Sequence, residues 1–513
     1  MLNAYPDSIG CNLNDLVKVL SKPEFKDVFS LFYALPTFFN SDLDRGFSII
    51  DYDINKELVS TSDIDTLSEL NIALKFDIVL NHLSVASPQF KDLLANGKES
   101  KYKDFFINWN EFWAGEGEMN QDGVIVPHKK HLDRLFMRKS GLPILKVPFA
   151  DGTEVPYWNT FYQKISVSEE DNTKTYLGQM DVNGKSPLVW EFYEEVLTKM
   201  GGYGCQILRL DAFAYLHKEI GQTNFFNAPG TWDYLERING IAQKNNLQLL
   251  PEIHAEYGLH LHDEVAEIGY VIYDFFLPGL LIHAIEKQTS TAIINWAQEI
   301  VAKNFKTVNM LGCHDGIPIL DLKGKEVNGV HSDGLLPDDE IEEMMNLILE
   351  RGGRVKNLYG ADGKKTSYYQ VNATYYSALG ESDQKMLLAR AIQLFMPGTP
   401  QVWYLDVFAG KNDNAAADAA GEGGHKEINR TTLSLEAIEE GLKKEVVTKQ
   451  LDMIRMRNTS AAFAGTPSFE SDAEKLTISW RSDSDIATLD ANLKTRKFTI
   501  RFSENGSEVE WKF

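Results

Sequence analysis

Only three of the 513 residues are cysteine, and Cys11, Cys205 and Cys313 are scattered, with no metal-ligand spacing among them. An odd, dispersed set argues against a disulfide framework and against a zinc site, and it suits a reducing cytoplasm. Long apolar runs are missing as well. The most hydrophobic stretch, Tyr273 to Ile285, contains Asp274, Pro278 and His283 and is too short to cross a bilayer. Met1 to Asn14 show no basic patch followed by an apolar run, so no secretory signal is expected. Positive charge is in deficit: 51 Lys and Arg stand against 74 Asp and Glu, a formal net charge of -23. Such a field repels nucleic acid and anionic membranes, although a local cluster of Lys and Arg can still hold a small anion. No internal repeat is visible. These absences describe an acidic cytoplasmic protein with no nucleic-acid or membrane partner.

What is present is a large hydrophobic fraction, 43%, enough for a substantial core and two to four domains. Up to about residue 455, short β-rich runs alternate with helical segments. Val28 to Leu35, Ile72 to Leu80, Gln206 to Leu210, Leu247 to Ile253, Tyr270 to Asp274, Thr307 to Leu311 and Pro400 to Tyr404 read as strands. Continuous apolar strands separated by helices indicate a parallel sheet covered on both faces. Helices are read at Ser186 to Met200 and Thr231 to Asn245. A third runs from Pro337, whose fixed φ suits a first helical position, to near Gly352. About eight such units closing on themselves make an α/β fold, the (β/α)8 TIM barrel; an open doubly wound sheet is the alternative on pattern alone.

The barrel is assigned to residues 1–82, 188–317 and 373–460. Residues 83–187 lack its rhythm and read as an inserted domain over the barrel mouth, and residues 318–372 as a second insertion. Residues 461–513 alternate, as in Leu476-Thr-Ile-Ser-Trp480, and read as a C-terminal antiparallel β-domain. The Gly/Ala-rich stretch Ala409 to Glu427 reads as a mobile loop.

Four segments end or follow apolar runs in polar residues: Asp77-Ile-Val-Leu-Asn81-His82, Arg209-Leu-Asp211, Glu252 in Pro-Glu-Ile-His254, and His314-Asp315. Carboxylates at the exits of successive buried strands suit glycosidic bond cleavage, which uses one acid and one nucleophile on opposite sides of the sugar. Arg209 and Asp211, two apart on a strand, share a face, so the guanidinium is expected to orient the carboxylate and keep its pKa low. Glu252, at the edge of an apolar floor, is expected to hold its proton more tightly, as an acid must. His314-Asp315 and Asn81-His82 can bind hydroxyls. Taken singly, each has an ordinary alternative: an ion pair, a capping Glu, a turn ahead of Gly316, a structural His. Asp44-Arg45-Gly46-Phe47 and Asn429-Arg430 alone would be solvated loops. In this order, at intervals that match successive barrel strands, they describe one site.

With these segments the chain resembles the α-amylase superfamily of glycoside hydrolases, and more closely its sucrose phosphorylase subfamily. Asn372-Ala-Thr-Tyr-Tyr-Ser-Ala-Leu379, Pro397-Gly-Thr-Pro-Gln-Val402, Ala409-Gly-Lys-Asn-Asp413 and Glu427-Ile-Asn-Arg430 extend the likeness over nearly the whole chain. The resemblance implies Asp211 as nucleophile, Glu252 as acid/base and Asp315 as transition-state stabiliser. It implies that His82, Arg209 and His314 contact the glucosyl ring, that Asp44 and Arg430 clamp its far hydroxyls, and that Phe161 is an aromatic platform with Gln179 close by. The expected reaction is a double displacement with a carboxyl separation of about 5–5.5 Å. Phosphate, as co-substrate, takes the glucosyl group from the enzyme; no cofactor and no metal are expected. Lys139 matches the family's phosphate-side position, with Arg138, His254 and Tyr369 as helpers, since phosphate has to approach three carboxylates. Relatives often dimerise, which leaves a homodimer as one option that the residues do not decide.

The acceptor side departs from true sucrose phosphorylases, which carry His and an aromatic where Thr431-Thr432 stand here. The loop that usually presents an Asp to fructose reads Gly363-Lys-Lys-Thr-Ser367-Tyr-Tyr369, which puts Ser367 at that position. An extra stretch, Tyr162 to Gly178, lengthens the first insertion. Phe47-Ser-Ile-Ile-Asp-Tyr52 and the Asp362-Gly loop are more like relatives acting on glucosylglycerol or glucosylglycerate. Hydrogen-bonded pockets discriminate strongly, so the loss of an Asp and a His points away from fructose, and the lack of an Arg cluster points away from glycerate. The sequence reading therefore places 2-O-α-glucosylglycerol first as substrate. Sucrose comes next, then glucosylglycerate, then a plain hydrolase or transglucosidase. A non-enzymatic, transporter-associated relative is set aside because the triad is complete.

Overall fold

The structure, a computed structural model, describes all residues except 140, 169–173, 328, 360–364, 422–423, 484 and 505, together with the side chains of 356–359, 365–370 and 504. Eight strands run parallel: β1 (Leu2–Ala4), β2 (Leu31–Ala34), β3 (Ala73–Val79), β4 (Cys205–Asp211), β5 (Gln248–Pro251), β6 (Ile272–Asp274), β7 (Thr307–Met310) and β8 (Thr399–Trp403). Their lateral order is β5-β4-β3-β2-β1-β8-β7-β6. Chain order thus follows the wall, and β1 bonds to both β2 and β8. The strand order of an open doubly wound sheet would instead reverse at a switch point. Strands β5 and β6 end the ladder; they approach within 8 Å between Cα atoms, but no pairing joins them among the described residues. The sequence named seven of these strands. It missed β1, whose three residues are too few to show a period.

The barrel interior is filled by side chains rather than left as a pore. Lys75 of β3 donates to Gln401 Oε1 of β8 at 2.8 Å, contacts the Tyr273 hydroxyl of β6, and lies 3.7 Å from the Tyr33 ring centre of β2. This polar layer crosses the barrel below the strand ends that carry the candidate site.

Helices Pro187–Gly202 and Gly230–Lys244 agree with the sequence reading within two residues. The third starts at Asp338, not Pro337. Pro337 has the fixed φ of -59°, but its ψ of 145° is extended; the ring locks only φ, and ψ decides the helix start. Asp338, Asp339 and Glu340 then occupy the first turn, where the helix dipole favours acid. The described part of the Ala409–Glu427 stretch contains regular structure. It holds the helix Asn414–Ala419, whose first turn is capped by Asp413 accepting from Ala416 N at 2.9 Å, and the 3₁₀ turn Gly424–Asn429. Alanine is the best helix former, and here it outweighs the breakers around it.

Between β3 and β4 lie short antiparallel pairs, Gly117–Met119 with Ile125–Pro127 and Ile144–Pro148 with Glu154–Trp158, around a small core of Trp109, Trp113 and Trp158. The extra stretch forms a hairpin, Gln163–Val167 with Lys174–Asp181. Its second strand also pairs with His82–Ser84, setting Asp181 opposite His82 and Gln179 opposite Ser84. After the barrel, five antiparallel strands in sequence order, from Thr466–Asp472 to Ser507–Lys512, form the expected C-terminal sheet.

Lys218 pins the inserted segment to the barrel. Its buried ammonium binds Asp181 Oδ2 at 2.8 Å, Asn81 Oδ1 at 2.9 Å and the Tyr215 carbonyl at 2.7 Å. Asn81 therefore supports Lys218 through its oxygen, while its buried Nδ2 has no hydrogen-bond partner among the described residues. Replacing Lys218 by Met leaves Asp181 buried and uncompensated, and is expected to lower unfolding free energy by about 3–5 kcal/mol; urea unfolding of the two proteins measures it.

Candidate active site

The parallel register of β3, β4 and β5 sets Arg209 beside Asp77 on one flank and Leu250 on the other. Three strand ends thereby deliver three carboxylates to one guanidinium. Arg209, 3% exposed, donates through Nη1 to Asp77 Oδ1 and to Asp211 Oδ1 (2.8 Å), and its Nη2 meets Glu252 Oε1 at 2.7 Å. Asp77 is held from below by the Tyr33 hydroxyl at 2.8 Å.

This sharing overturns one expectation. Burial pushes the Asp211 carboxyl well above its usual range; Arg209 opposes this, while Glu252, Asp77 and Asp315 add to it. One cation divided among three carboxylates cannot hold Asp211 low. The ligand-free cluster favours a proton on the Asp211 side. A carboxylate facing a carboxylic acid is the protonation count that a retaining displacement needs.

The third carboxylate lies beyond β7. Asp315 meets Lys426 Nζ at 2.5 Å, His314 Nε2 at 3.2 Å and Arg430 Nη2 at 3.7 Å. Burial alone would raise its pKa, but His314, Lys426 and Arg430 together more than offset that and hold it well below the carboxylate range. Arg430 Nε donates to the His314 carbonyl at 2.8 Å, and Asn429 Nδ2 to the Cys313 carbonyl at 3.0 Å. Lys426 also stands 4.0 Å from Asp44. Asp44 and Arg45 have left-handed φ of 49° and 46° in a turn that closes with Gly46 at φ 107°, where a Cβ would meet Thr37 N at 2.5 Å. The turn presents Phe47, whose ring stacks on His314 at 5.1 Å and whose carbonyl meets His82 Nε2 at 3.0 Å. Phe161 lies 5.0 Å from His82 and 5.1 Å from Tyr215.

Buried polar atoms here lack hydrogen-bond partners among the described residues: Asp77 Oδ2, His82 Nδ1, His314 Nδ1 and Arg430 Nη2, the last only in ion-pair reach of Asp315. Orphaned donors and acceptors are costly unless something fills them, and a ring carrying many hydroxyls would. Gln179 is different. Its Nε2 donates to the Phe47 carbonyl at 3.1 Å and its Oε1 accepts from Tyr162 N at 2.9 Å, so it braces two loops.

Farther out are the cations. The Arg138 guanidinium lies 5.4 Å from the Phe161 ring centre and hydrogen-bonds the Tyr215 hydroxyl. Lys139 donates to Asn159 Oδ1 and to Gln163 Oε1 at 3.1 Å, with no carboxylate partner among the described residues. Burial lowers its pKa to about 8, against the pull of Asp181. His254 bonds Asp321 at 2.6 Å and stacks on Phe275 at 5.1 Å. Burial alone would lower its pKa, but Asp321, then Glu252 and Asp315, raise it overall. The side chains of Ser367 and Tyr369 lie outside the described residues. Their strand, Lys365–Asn372, pairs with Arg354–Tyr359 and ends in Asn372, which donates to the Asp315 carbonyl at 2.6 Å.

No family model matches the chain, but individual proteins do. It is 60% identical over 509 residues to a sucrose 6(F)-phosphate phosphorylase of Ilumatobacter coccineus, covering 99% of this chain and 96% of the relative. The crystal structure of sucrose 6F-phosphate phosphorylase from Thermoanaerobacter thermosaccharolyticum superposes with a TM-score of 0.86 at 34% identity, over 100% of this chain and 97% of that one. The chain belongs to the sucrose phosphorylase subfamily of the α-amylase superfamily. As a member it is a glycosyltransferase acting as a glycoside phosphorylase. A glucosylglycerol phosphorylase of Marinobacter adhaerens stands farther off, at 31% identity over 98% of this chain and 97% of the relative. No described helix is long and apolar enough to cross a membrane.

For a phosphorylase, two groups in this cluster were missed as site residues. Asp77 shares Arg209 with Asp211, and its company on β3 was visible in the sequence. Lys426 sits one residue before Glu427-Ile-Asn-Arg430, yet a lone Lys after glycines gives no signal of its own.

Buried His82 has its pKa lowered by desolvation from 6.5 to about 4. Between those values the unfolded chain binds a proton that the folded chain refuses. The neutral ring thus stabilises the fold above pH 6.5, and that stability is lost as pH falls toward 4. Between pH 7 and 5, His82→Gln is expected to lose about 2 kcal/mol less stability than the wild type, read from chemical denaturation at each pH.

Proposed function

We propose that this phosphorylase takes sucrose carrying a phosphate on the fructosyl 6-position, and transfers its glucosyl group to inorganic phosphate with retention, giving α-D-glucose 1-phosphate and fructose 6-phosphate. The 60% identity over nearly the whole length to a sucrose 6(F)-phosphate phosphorylase carries this reading. The sequence reading put glycerol first. The relatives favour the sucrose side of that choice, because the glucosylglycerol enzyme is only half as similar. The departures that led away from fructose have a second meaning. An Asp facing fructose would repel a sugar phosphate, so Ser367 in its place suits a phosphorylated fructose as well as a smaller acceptor. Lys139 and Arg138 supply cations on that side.

In the proposed cycle, substrate binding moves the shared proton from the Asp211 side to Glu252; Asp211, now a carboxylate, attacks the anomeric carbon while Glu252 gives that proton to the leaving fructosyl oxygen. Arg209 positions both carboxyl groups, and Asp315, held ionised by Lys426, His314 and Arg430, stabilises the positive charge that develops on the sugar. The released acceptor leaves space beside Lys139 and Arg138, where inorganic phosphate enters. Glu252 then takes a proton from phosphate as its oxygen attacks the β-glucosyl ester on Asp211. His82, Phe161, His314, Asp44 and Arg430 are the proposed glucosyl contacts.

Purified enzyme incubated with sucrose 6F-phosphate, sucrose and glucosylglycerol, each with and without phosphate, tests the reading. Glucose 1-phosphate should form with the highest kcat/KM from sucrose 6F-phosphate. Faster release from glucosylglycerol would restore the earlier choice, and phosphate-independent glucose release would remove the proposed cycle. Asp211→Asn is expected to lower kcat at least about 10⁴-fold. Lys139→Ala should raise KM for phosphate roughly 10–100-fold with kcat largely kept, the worth of one charge-assisted hydrogen bond; steady-state kinetics measure both.

A further inference from the structure

Away from the sugar site, the loop leaving β5 carries the sequence His260-Leu-His-Asp263 at the start of the helix Leu261–Glu267. Ligand atoms of His260, His262 and Asp263 lie within 4.8 Å of one another. His260 Nδ1 is 2.8 Å from Asp263 Oδ2, and His262 Nε2 is 3.7 Å from Asp263 Oδ1. Neighbouring ligands around a tetrahedral zinc ion stand about 3.3 Å apart, as its bond lengths of about 2.0–2.2 Å require. Shifts of about half an ångström would bring these two pairs to that spacing, and the third pair lies within 4.8 Å.

A second observation points to a ligand. His262 is 4% exposed, and its Nε2 has no hydrogen-bond partner among the described residues although it faces Asp263. Its ring stacks on Tyr257 at 5.1 Å and packs against Phe276 at 5.0 Å, so no water-rich surface is available to satisfy it.

The outer side of the cluster is also built. His260 Nε2 meets Ser332 Oγ at 2.9 Å, the kind of contact that fixes the ring and tautomer of a metal-binding histidine. Ser332 belongs to the hairpin of Lys325–Val327 and Val330–Ser332 in the second insertion, which also touches this loop through Lys325–Glu256 at 2.8 Å. Lys303 bonds Asp263 Oδ1 at 2.7 Å and Glu299 at 2.8 Å. Two carboxylates, Asp263 and Glu299, stand against one ammonium, Lys303, a formal surplus of negative charge that favours a divalent cation.

We propose that His260, His262 and Asp263 bind a divalent first-row transition ion, with Zn²⁺ the best match to two imidazoles and a carboxylate, and that the bound ion fastens the hairpin of the second insertion to the barrel. The scattered cysteines, which argued against a zinc site, have no bearing on a histidine-based one. Half-exposed His260 leaves the ion a path from solvent.

The test uses the full-length enzyme stripped of metal and titrated with Zn²⁺ by calorimetry, in the wild type and in His262→Gln, His260→Gln and Ser332→Ala. One equivalent per chain is expected to disappear in His262→Gln and to weaken at least about tenfold in His260→Gln and Ser332→Ala. Phosphorolysis by the metal-free variants should remain at the wild-type level. Ions that instead enter Cys313, His314 and Asp315, a second cluster of compatible atoms, would block the reaction and be kept out by glucose 1-phosphate. Zinc binding that glucose 1-phosphate abolishes in full overturns the proposal. So does a wild type that takes up no zinc, or a half-exposed His260→Gln variant that binds as tightly as the wild type.

Discussion

One buried guanidinium organises this protein's chemistry. Arg209 is 3% exposed and touches carboxylates from the ends of three adjacent strands. A buried cation of this kind cannot be removed without stranding its partners, since an uncompensated buried carboxylate costs several kcal/mol. The dependence also runs the other way. Three like charges could not converge on so small a volume without a common counter-ion, and the parallel register that sets Arg209 opposite Asp77 is what supplies it. Strand pairing, carboxylate placement and the proton held by the Asp211 side are therefore one constraint seen at three scales.

The site divides by architectural origin. The proposed glucosyl contacts come from barrel strand ends, the Asp44 turn and the 426–430 turn, where Arg430 and Asn429 bond the His314 and Cys313 carbonyls, with Phe161 added from the inserted segment. Groups on the far side come from insertions: Arg138 and Lys139 from the segment between β3 and β4, and the strand Lys365–Asn372 from the segment after β7. Members of one family can then exchange acceptors by editing insertions, with the barrel left untouched. The relatives named as a sucrose 6(F)-phosphate phosphorylase and a glucosylglycerol phosphorylase differ in the group joined to glucose.

The sequence made the barrel legible because buried parallel strands are continuous apolar runs, and the site legible because its carboxylates terminate them. Asp211, Glu252 and Asp315 could be found by that rule alone. What stayed hidden depends on contacts distant in sequence. Lys426 reaches Asp315 across 111 residues from a stretch whose glycines suggested mobility. Lys218 joins Asn81 and Asp181, three segments that no local period connects. The direction of the Asp211 shift was misread for the same reason: Arg209 was visible two residues away, but the two other carboxylates competing for it were not. β1 escaped because three residues carry no period, and Pro337 because a fixed φ does not fix ψ.

The unpaired seam of the barrel falls beside Glu252. Strand β5 is hydrogen-bonded to β4 along one edge, while its other edge meets β6 without a ladder among the described residues. Asp211 ends β4, which is laddered on both sides. The two carboxyl groups of the proposed cycle are thus mounted with different stiffness. A group that forms a covalent bond at one carbon needs a fixed origin, and the doubly laddered strand provides it. A group that hands a proton to one oxygen and later collects it from another needs some lateral play, and a strand free along one edge can give it without unzipping the wall.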